Sequence, residues 1–463
     1  MSRPNILLVL CDQLQVFMLG CYGNGFVRTP NLDRLAHSGV RFETSMCVFP
    51  VCMASRSSLL AGQFNRTCTG GIGNVAYPSF PGNFNMPEYP FTDRPHLPDT
   101  TLPESLQTAG YHTAAIGKWH IHSWPHDIGF DEYVIPRVHH CHSAQHYCEN
   151  GGPEFVPEGW SLDFEVERAG RFFREREDSQ KPFFLYFNIS PPHCPVADIP
   201  ESFRTMYEPA EVPFRANVDP AVIEREDWHY QASVLRHDFR YYGLGLPCTQ
   251  TLPEGYDLRA LTAEYMGAVS WVDDAVGRLL DHLEHSGLAE NTLVVFSSDH
   301  GEFMGSHGRF QKGAPHDESA RVPLLMRWPG HYPAEAVRTP VVSLLDLAPT
   351  LLTAAGAPVP DSMVGESLDA LARSDGHRLR DDFRIVESSS GAAIRTREHL
   401  YAAEFTEDRS GFKPEPSLFV NNLKDPLQQH NLAGTGAEAE VAATLRQRLE
   451  IFHSQTPWMG SYK

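Results

Sequence analysis

Apolar runs and helical repeats alternate along most of this chain. Asn5 to Cys11 is a continuous apolar run with β-branched members, bounded by Pro4 and Asp12, which predicts a buried parallel strand. Thr29-Pro-Asn-Leu-Asp-Arg-Leu-Ala predicts a capped helix, and Val40 to Glu43 a strand after it. Leu102 to Ala109 predicts a helix and Tyr111 to Ile116 a strand. Leu162 to Arg176 reads as an amphipathic helix, followed by the apolar, aromatic strand Lys181 to Ile189. Arg259 to Ser286 is the longest helical repeat, with Leu261, Tyr265, Ala268, Val269, Val272 and Val276 as core positions and Gly287 as its cap. Asn291 to Ser298 is another buried strand, and Val341 to Ala355 reads as strand or loop, then helix. The alternation predicts an α/β fold: a large mixed, mostly parallel sheet sandwiched by helices.

From about residue 376 the texture changes. Short β-like runs at Phe383 to Glu387, Ala392 to Thr396, Leu400 to Phe405 and Ser417 to Val420 predict a smaller antiparallel sheet. Glu438 to Phe452 closes it as an amphipathic helix. The expected division is a catalytic α/β domain over 1–375 and a C-terminal α+β subdomain over 376–463 packed on it. Residues 64–100 read as a long irregular loop, and 195–250, rich in proline and aromatic residues, as an insertion that shapes access to a site.

Composition narrows the function. Of 463 residues, 41% are hydrophobic and 21% charged, as in an ordinary globular protein. A formal net charge of -20 argues against general nucleic-acid binding. It argues more mildly against a long polyanionic glycan, since a local basic pocket can coexist with an acidic surface. Ile6 to Cys11 is too short for a signal-peptide core, and no apolar run approaches the roughly 18 residues of a membrane span. Nine cysteines without repeated spacing fit a reducing compartment. The expectation is a cytoplasmic chain without membrane attachment, an exported form with its leader removed being the alternative.

Polar groups stand where the apolar strands end. Asp12 and Gln13 follow the first strand, Lys118 and His120 the strand from Tyr111, His193 the strand from Lys181, and Asp299 and His300 the strand from Asn291. In open α/β sheets that edge binds ligands. A carboxylate and an amide oxygen suit Ca²⁺, Mg²⁺ or Mn²⁺, although Asp12 taken alone reads first as a turn or helix cap. Lys118 and His120 alternate, so an extended chain points both the same way, toward an anionic substrate. Val51 to Gln63 sets Cys52 and Arg56 at the head of a helical pattern that ends near Gly62. Helix N-termini suit anionic oxygens, and Arg56, one turn in, is placed to clamp two of them. His139 to Cys148 holds four His and two Cys in ten residues, without a recognised zinc spacing; it reads as a polar loop at a pocket rim.

Cys52-Met-Ala-Ser-Arg56, followed by Ser57-Ser-Leu-Leu-Ala-Gly62, resembles the sulfatase signature, with Ala54 at a position where Pro is commoner. TPNLDRLAHSGVRF, Gly117-Lys-Trp-His120, Ser190-Pro-Pro-His193, SSDHGEFMGSHG with Lys312, ESARVPLLMRWPG and Asn421-Asn-Leu-Lys-Asp-Pro resemble further sulfatase segments. The resemblance runs from residue 3 to about 435.

It implies that Cys52 is converted to Cα-formylglycine by a formylglycine-generating enzyme, and that Asp12, Gln13, Asp299 and His300 bind one divalent cation. Ca²⁺ comes first, with Mn²⁺ or Mg²⁺ open. The usual pattern has two adjacent Asp near the N-terminus. Gln13 departs from it, a variant also found in phosphonate monoester hydrolases and choline sulfatases, so a phosphonate or phosphodiester hydrolase is the alternative. The implied substrate is a small-molecule or saccharide sulfate ester. In the implied mechanism the metal and Arg56 hold the sulfate and one diol hydroxyl at position 52 attacks sulfur. Lys118 and Lys312 neutralise spreading charge, and His193, assisted by Lys312, protonates the leaving alcohol. His120 then helps the second hydroxyl to expel sulfate.

Overall fold

In the computed structural model, which describes residues 3–74, 97–121, 123–136, 140–237 and 252–459, β1 (Asn5–Asp12) is buried along its whole length. Its side chains alternate between two apolar layers: Ile6, Leu8 and Leu10 face one, Leu7, Val9 and Cys11 the other. That two-sided burial is why the run reads as continuously apolar. Around it lie β2 (Val40–Met46), β3 (His112–Gly117), β4 (Glu132–Pro136), β5 (Tyr147–Glu149), β6 (Phe183–Pro192), β7 (Thr292–Ser298), β8 (Arg321–Val322), β9 (Leu324–Arg327) and β10 (Ala336–Ser343).

The sheet order is β10-β2-β9-β7-β1-β6-β3-β4-β5, with β8 paired to β2. β1 runs parallel to β6 and β7, β3 to β4 and β6, and β10 to β2; β9 is antiparallel to β7 and β2, and β5 to β4. Helices Cys52–Ala61, Leu102–Thr108 and Leu347–Ala355 pack on one face, and Pro30–His37, Ser161–Arg174 and Leu258–His285 on the other. Among the described residues no helix is long and apolar enough to cross a membrane.

β11 (Phe383–Glu387), β12 (Gly391–Thr396), β13 (His399–Glu404) and β14 (Leu418–Asn421) form a separate antiparallel sheet in that order. Ile385, Ile394, Tyr401 and Phe419 face Leu445, Leu449 and Phe452 of helix Ala439–Gln455. Val386, Ala393, Ala402 and Val420, on the opposite face, join the main core. Polar ties add to this contact: Arg395 Nε and Nη2 donate to the two oxygens of Asp317 at 3.1 Å each, and Arg384 Nε to Asp346 at 2.9 Å.

Three sequence expectations change. β6 continues to Pro192, beyond Ile189, because its polar end is still paired: Pro192 stands opposite Asp12 of β1. Within 195–250, helix Trp228–His237 buries Trp228, Ala232, Val234 and Leu235, a packing the mixed polar sequence disguises. Within 64–100, Asn65–Cys68 is a helical turn, while residues 75–96 lie outside the described residues.

Candidate metal and nucleophile site

Four neighbouring strands, β7, β1, β6 and β3, end at one place. Register explains it: Cys11 stands opposite Ser298, Asp12 opposite Pro192, and Gly117 opposite Asn188, so the residues that follow emerge side by side. Gly117 makes the last step possible. Its φ is +90°, and a Cβ there would lie 2.0 Å from the Asn188 carbonyl oxygen.

Helix Cys52–Ala61 points its N-terminus at this edge. Val51 before it is extended and gives no side-chain cap, and Gly62, at φ +63°, ends the helix in the left-handed region. Cys52 Sγ lies 3.4 Å from Asp12 Oδ1, 3.2 Å from His300 Nε2 and 3.5 Å from Lys312 Nζ. It stands in for whatever atom a modified residue 52 would put there. The ligand atoms of Asp12, Cys52, Asp299 and His300 all lie within 4.8 Å of one another, and all four residues are buried. Among the described residues this is the one His/Cys/Asp/Glu group with such geometry.

The surroundings suit a cation. His300 Nδ1 lies 2.9 Å from the Gly301 carbonyl; an N–H donated there leaves the Nε2 lone pair facing Asp12 and Asp299, 3.5 and 3.6 Å away. Burial, then repulsion from Asp299, pushes the Asp12 carboxyl up to about 6 even with Lys118 and Arg56 nearby. A divalent ion would offset that repulsion, so the donor set fits one. Gln13 sits beside it at φ +63°. Its N–H donates to Asp299 Oδ1 at 3.2 Å and its carbonyl accepts from the Tyr265 hydroxyl at 2.6 Å. Its amide nitrogen donates to Glu302, and its amide oxygen accepts from Lys312 Nζ.

Arg56 departs from the sequence expectation. Its guanidinium is 1% exposed; Nε donates to Asp299 Oδ2 at 2.8 Å, Nη1 to Asn188 Oδ1 at 2.8 Å, and Nη2 lies 3.5 Å from Asp12 Oδ2. It braces the carboxylates from behind instead of clamping an anion in front. The cause is helical geometry: one turn in from Cys52, Arg56 points down into the sheet edge.

Lys118, His120, His193 and Lys312 all approach residue 52. Lys118 Nζ pairs with Asp12, and His120 is buried near enough to Cys52 to help lower its thiol. His193 Nδ1 lies 2.8 Å from the Cys194 carbonyl, and its ring lies near enough to Cys52 for the two to interact electrostatically. Burial alone would raise the Cys52 thiol, yet Lys312, Lys118 and His300 together draw it well below the ordinary range. Burial, then Lys312 and Lys118, press His193 well down, and burial lowers His120.

The 140–148 loop is also different from expectation. His140 and His142 are buried and form a wall of the site, not a rim; His139 lies outside the described residues. His140 stacks on His193, ring centroids 4.0 Å apart at 20°, and His142 Nε2 lies 3.2 Å from the His193 carbonyl. Sequence reading also missed Asn188, Glu302 and Asn74, whose side-chain oxygen accepts from Met53 N at 3.0 Å. Asn188 left a trace, as the one amide in an apolar strand.

The sulfatase family profile matches residues 4–357, the greater part of the chain. The chain belongs to the sulfatase family. It is a sulfuric ester hydrolase by class. A second profile, for the C-terminal region of N-sulphoglucosamine sulphohydrolase, matches residues 305–455 of this sulfatase. An ulvan-active sulfatase of Formosa agariphila is 29% identical over 490 residues, spanning 100% of this chain and 84% of that protein. The structure of BT4656 in complex with its substrate D-glucosamine-2-N,6-O-disulfate superposes with a TM-score of 0.77 at 25% identity over 98% of both chains. The phosphonate monoester hydrolase of Agrobacterium radiobacter shares the fold, with a TM-score of 0.68 at 23% identity over 98% of this chain and 95% of that one.

Proposed function

We propose that this sulfatase hydrolyses the sulfate ester of a small saccharide or similar alcohol, with residue 52 matured to formylglycine as nucleophile and one divalent cation held by Asp12, Gln13, Asp299 and His300. The observation that carries this reading is the convergence of Asp12, Asp299, His300, Lys118 and Lys312 on Cys52 Sγ from separate strand ends and loops. Hydrated, the aldehyde would offer one hydroxyl to attack and a second to release the product. The cation, when bound, supplies charge that holds a sulfate oxygen and acidifies the residue-52 oxygen.

The chain's own side chains do the rest. Lys118 and Lys312 flank residue 52 and neutralise charge on the sulfate oxygens. His120 takes the proton of the residue-52 side chain, and its lowered basicity favours the neutral imidazole that task needs. His193, with Nδ1 anchored on the Cys194 carbonyl, presents Nε2 as proton donor to the leaving oxygen. The two lysines oppose its protonation in the free enzyme; a bound sulfate monoanion offsets them. Arg56 keeps both carboxylates in place.

A cleft of about 450 Å³ lies between the 309–316 segment and the C-terminal sheet, lined by Arg309, His316, Ser388, Ser390, Glu404 and Asn431. Its hydroxyls, amides and charges suit a polyhydroxylated group. This agrees with the saccharide named for BT4656.

Gln13, in place of a second carboxylate, is the observation that favours a phosphonate monoester as the other substrate. Comparing kcat/KM for 4-nitrophenyl sulfate and a 4-nitrophenyl phosphonate decides between them. Mass spectrometry of the residue-52 peptide and metal analysis of the purified protein test the nucleophile and the cation. Turnover unchanged by Cys52→Ala would refute the covalent chemistry.

A further inference from the structure

The histidine-rich loop is not used by the reaction above, yet one of its members touches two of the groups that are. His140 is 3% exposed and stands at φ +55°, an unfavourable backbone state for a non-glycine residue. Its Nδ1 lies 3.0 Å from Lys118 Nζ, and its ring lies flat on His193, 4.0 Å between centroids at 20°. His120 is a third neighbour, 6.1 Å away at 65°. An ammonium has only protons to offer, so Nδ1 accepts and the His140 proton sits on Nε2. The ring is therefore neutral and turns an uncharged π face to His193.

We propose that His140 is a positioning residue for the sulfatase reaction: it fixes the Lys118 ammonium through Nδ1 and seats the His193 ring with its face. The inference rests on the reading above. The two contacts have separable consequences. Lys118 acts on the sulfate oxygens, so losing its acceptor slows every ester alike. His193 acts on the leaving oxygen, so losing the ring face matters most where the leaving alcohol is a poor one. A neutral face also stabilises the imidazolium form of His193, where a second imidazolium would repel it.

Two variants separate the contacts in the full matured chain. His140→Asn keeps an acceptor near Nδ1 and removes the ring; His140→Phe keeps a ring and removes the acceptor. The readout is kcat/KM across aryl sulfates from 4-nitrophenyl to phenyl, with thermal melting alongside. We expect His140→Asn to lose about tenfold more on phenyl sulfate than on 4-nitrophenyl sulfate, and His140→Phe to lose about tenfold on both. The inference is overturned if both variants stay within about twofold of wild type on every ester, or if both lose one common factor that follows the melting temperature. A wild-type chain inactive on all sulfate esters would overturn the sulfatase reading and this inference with it; an active one with unaffected variants overturns the inference alone.

Discussion

Arg56 makes two directed hydrogen bonds of 2.8 Å inside a buried carboxylate cluster, and replacing it separates a brace from a substrate clamp. Hydrogen bonds to charged groups contribute about 1.5–3 kcal/mol each. A lysine ammonium at this position keeps the charge and recovers one of the two, so Arg56→Lys should destabilise the cation-free protein by about 2–3 kcal/mol. Arg56→Met leaves Asp299 and Asp12 without their guanidinium, for which about 3–5 kcal/mol is expected. A divalent cation bound at those carboxylates compensates part of the loss, by about 2.7 kcal/mol at a hundredfold excess over Kd. The assay is the urea denaturation midpoint in chelator and in excess Ca²⁺ or Mn²⁺, paired with KM and kcat. The brace predicts a large defect in chelator, partial recovery with metal, and lost kcat. If Arg56→Lys leaves the chelator midpoint unchanged and raises KM alone, the guanidinium faces substrate and the reasoning fails.

Three further outcomes are expected. Gly117→Ala places a methyl against the Asn188 carbonyl in a left-handed backbone, so it should displace Lys118 and lower kcat while the metal content of the purified protein holds. Burial would raise Asp317, but Arg395 and Arg321 hold it below the ordinary carboxylate range, so its contribution is present above about pH 4 and lost as pH falls through its depressed folded pKa; Asp317→Asn should lower the midpoint at pH 7 and show a smaller further drop at pH 3 than wild type. Burial pushes Glu165 up to about 8, with the Tyr147 hydroxyl at 2.7 Å, so its stabilisation is full below about pH 4.3 and lost as pH rises to about 8; Glu165→Gln should match wild type more closely at pH 5 and exceed it at pH 9 in the same denaturation assay.

The parts of this fold legible in sequence are those whose pattern reports burial directly. β1, β6 and β7 are apolar because both faces are covered, and the two-residue alternation of β11 to β14 splits cleanly between the helix Ala439–Gln455 and the main core. Polar residues immediately after such runs stood out for the same reason. What sequence could not express is the direction a side chain takes once neighbouring strands are in register. Arg56 looks identical whether it faces solvent or Asp299. His140 carries no signal that it would lie against His193, 53 positions away, because the contact depends on how residues 140–148 fold back over β6.

Gln13 shows the same limit and supplies the last test. Counted as formal charges with residue 52 left aside, Lys118, Lys312 and Arg56 give +3 and Asp12, Asp299 and Glu302 give −3, so these six groups sum to zero without a cation. A divalent ion adds +2, which a sulfate monoanion and an ionised residue-52 oxygen would cancel. An acid at position 13, the commoner family pattern, breaks this balance and does so at a specific contact: the Gln13 amide nitrogen donates to the Glu302 carboxylate, which also accepts from Met304 N and Gln311 N at 3.0 and 2.6 Å. Gln13→Glu therefore sets two carboxylates against each other, and one must take up a proton or move. The single variant should lose stability in chelator and lose activity, despite restoring the commoner residue type. Gln13→Glu with Glu302→Gln reverses donor and acceptor across the same contact and should recover much of both, a coupling that a double-mutant cycle measures. A single variant as stable and active as wild type, or a double variant no better than the single, would mean that Glu302 does not set the charge position 13 tolerates.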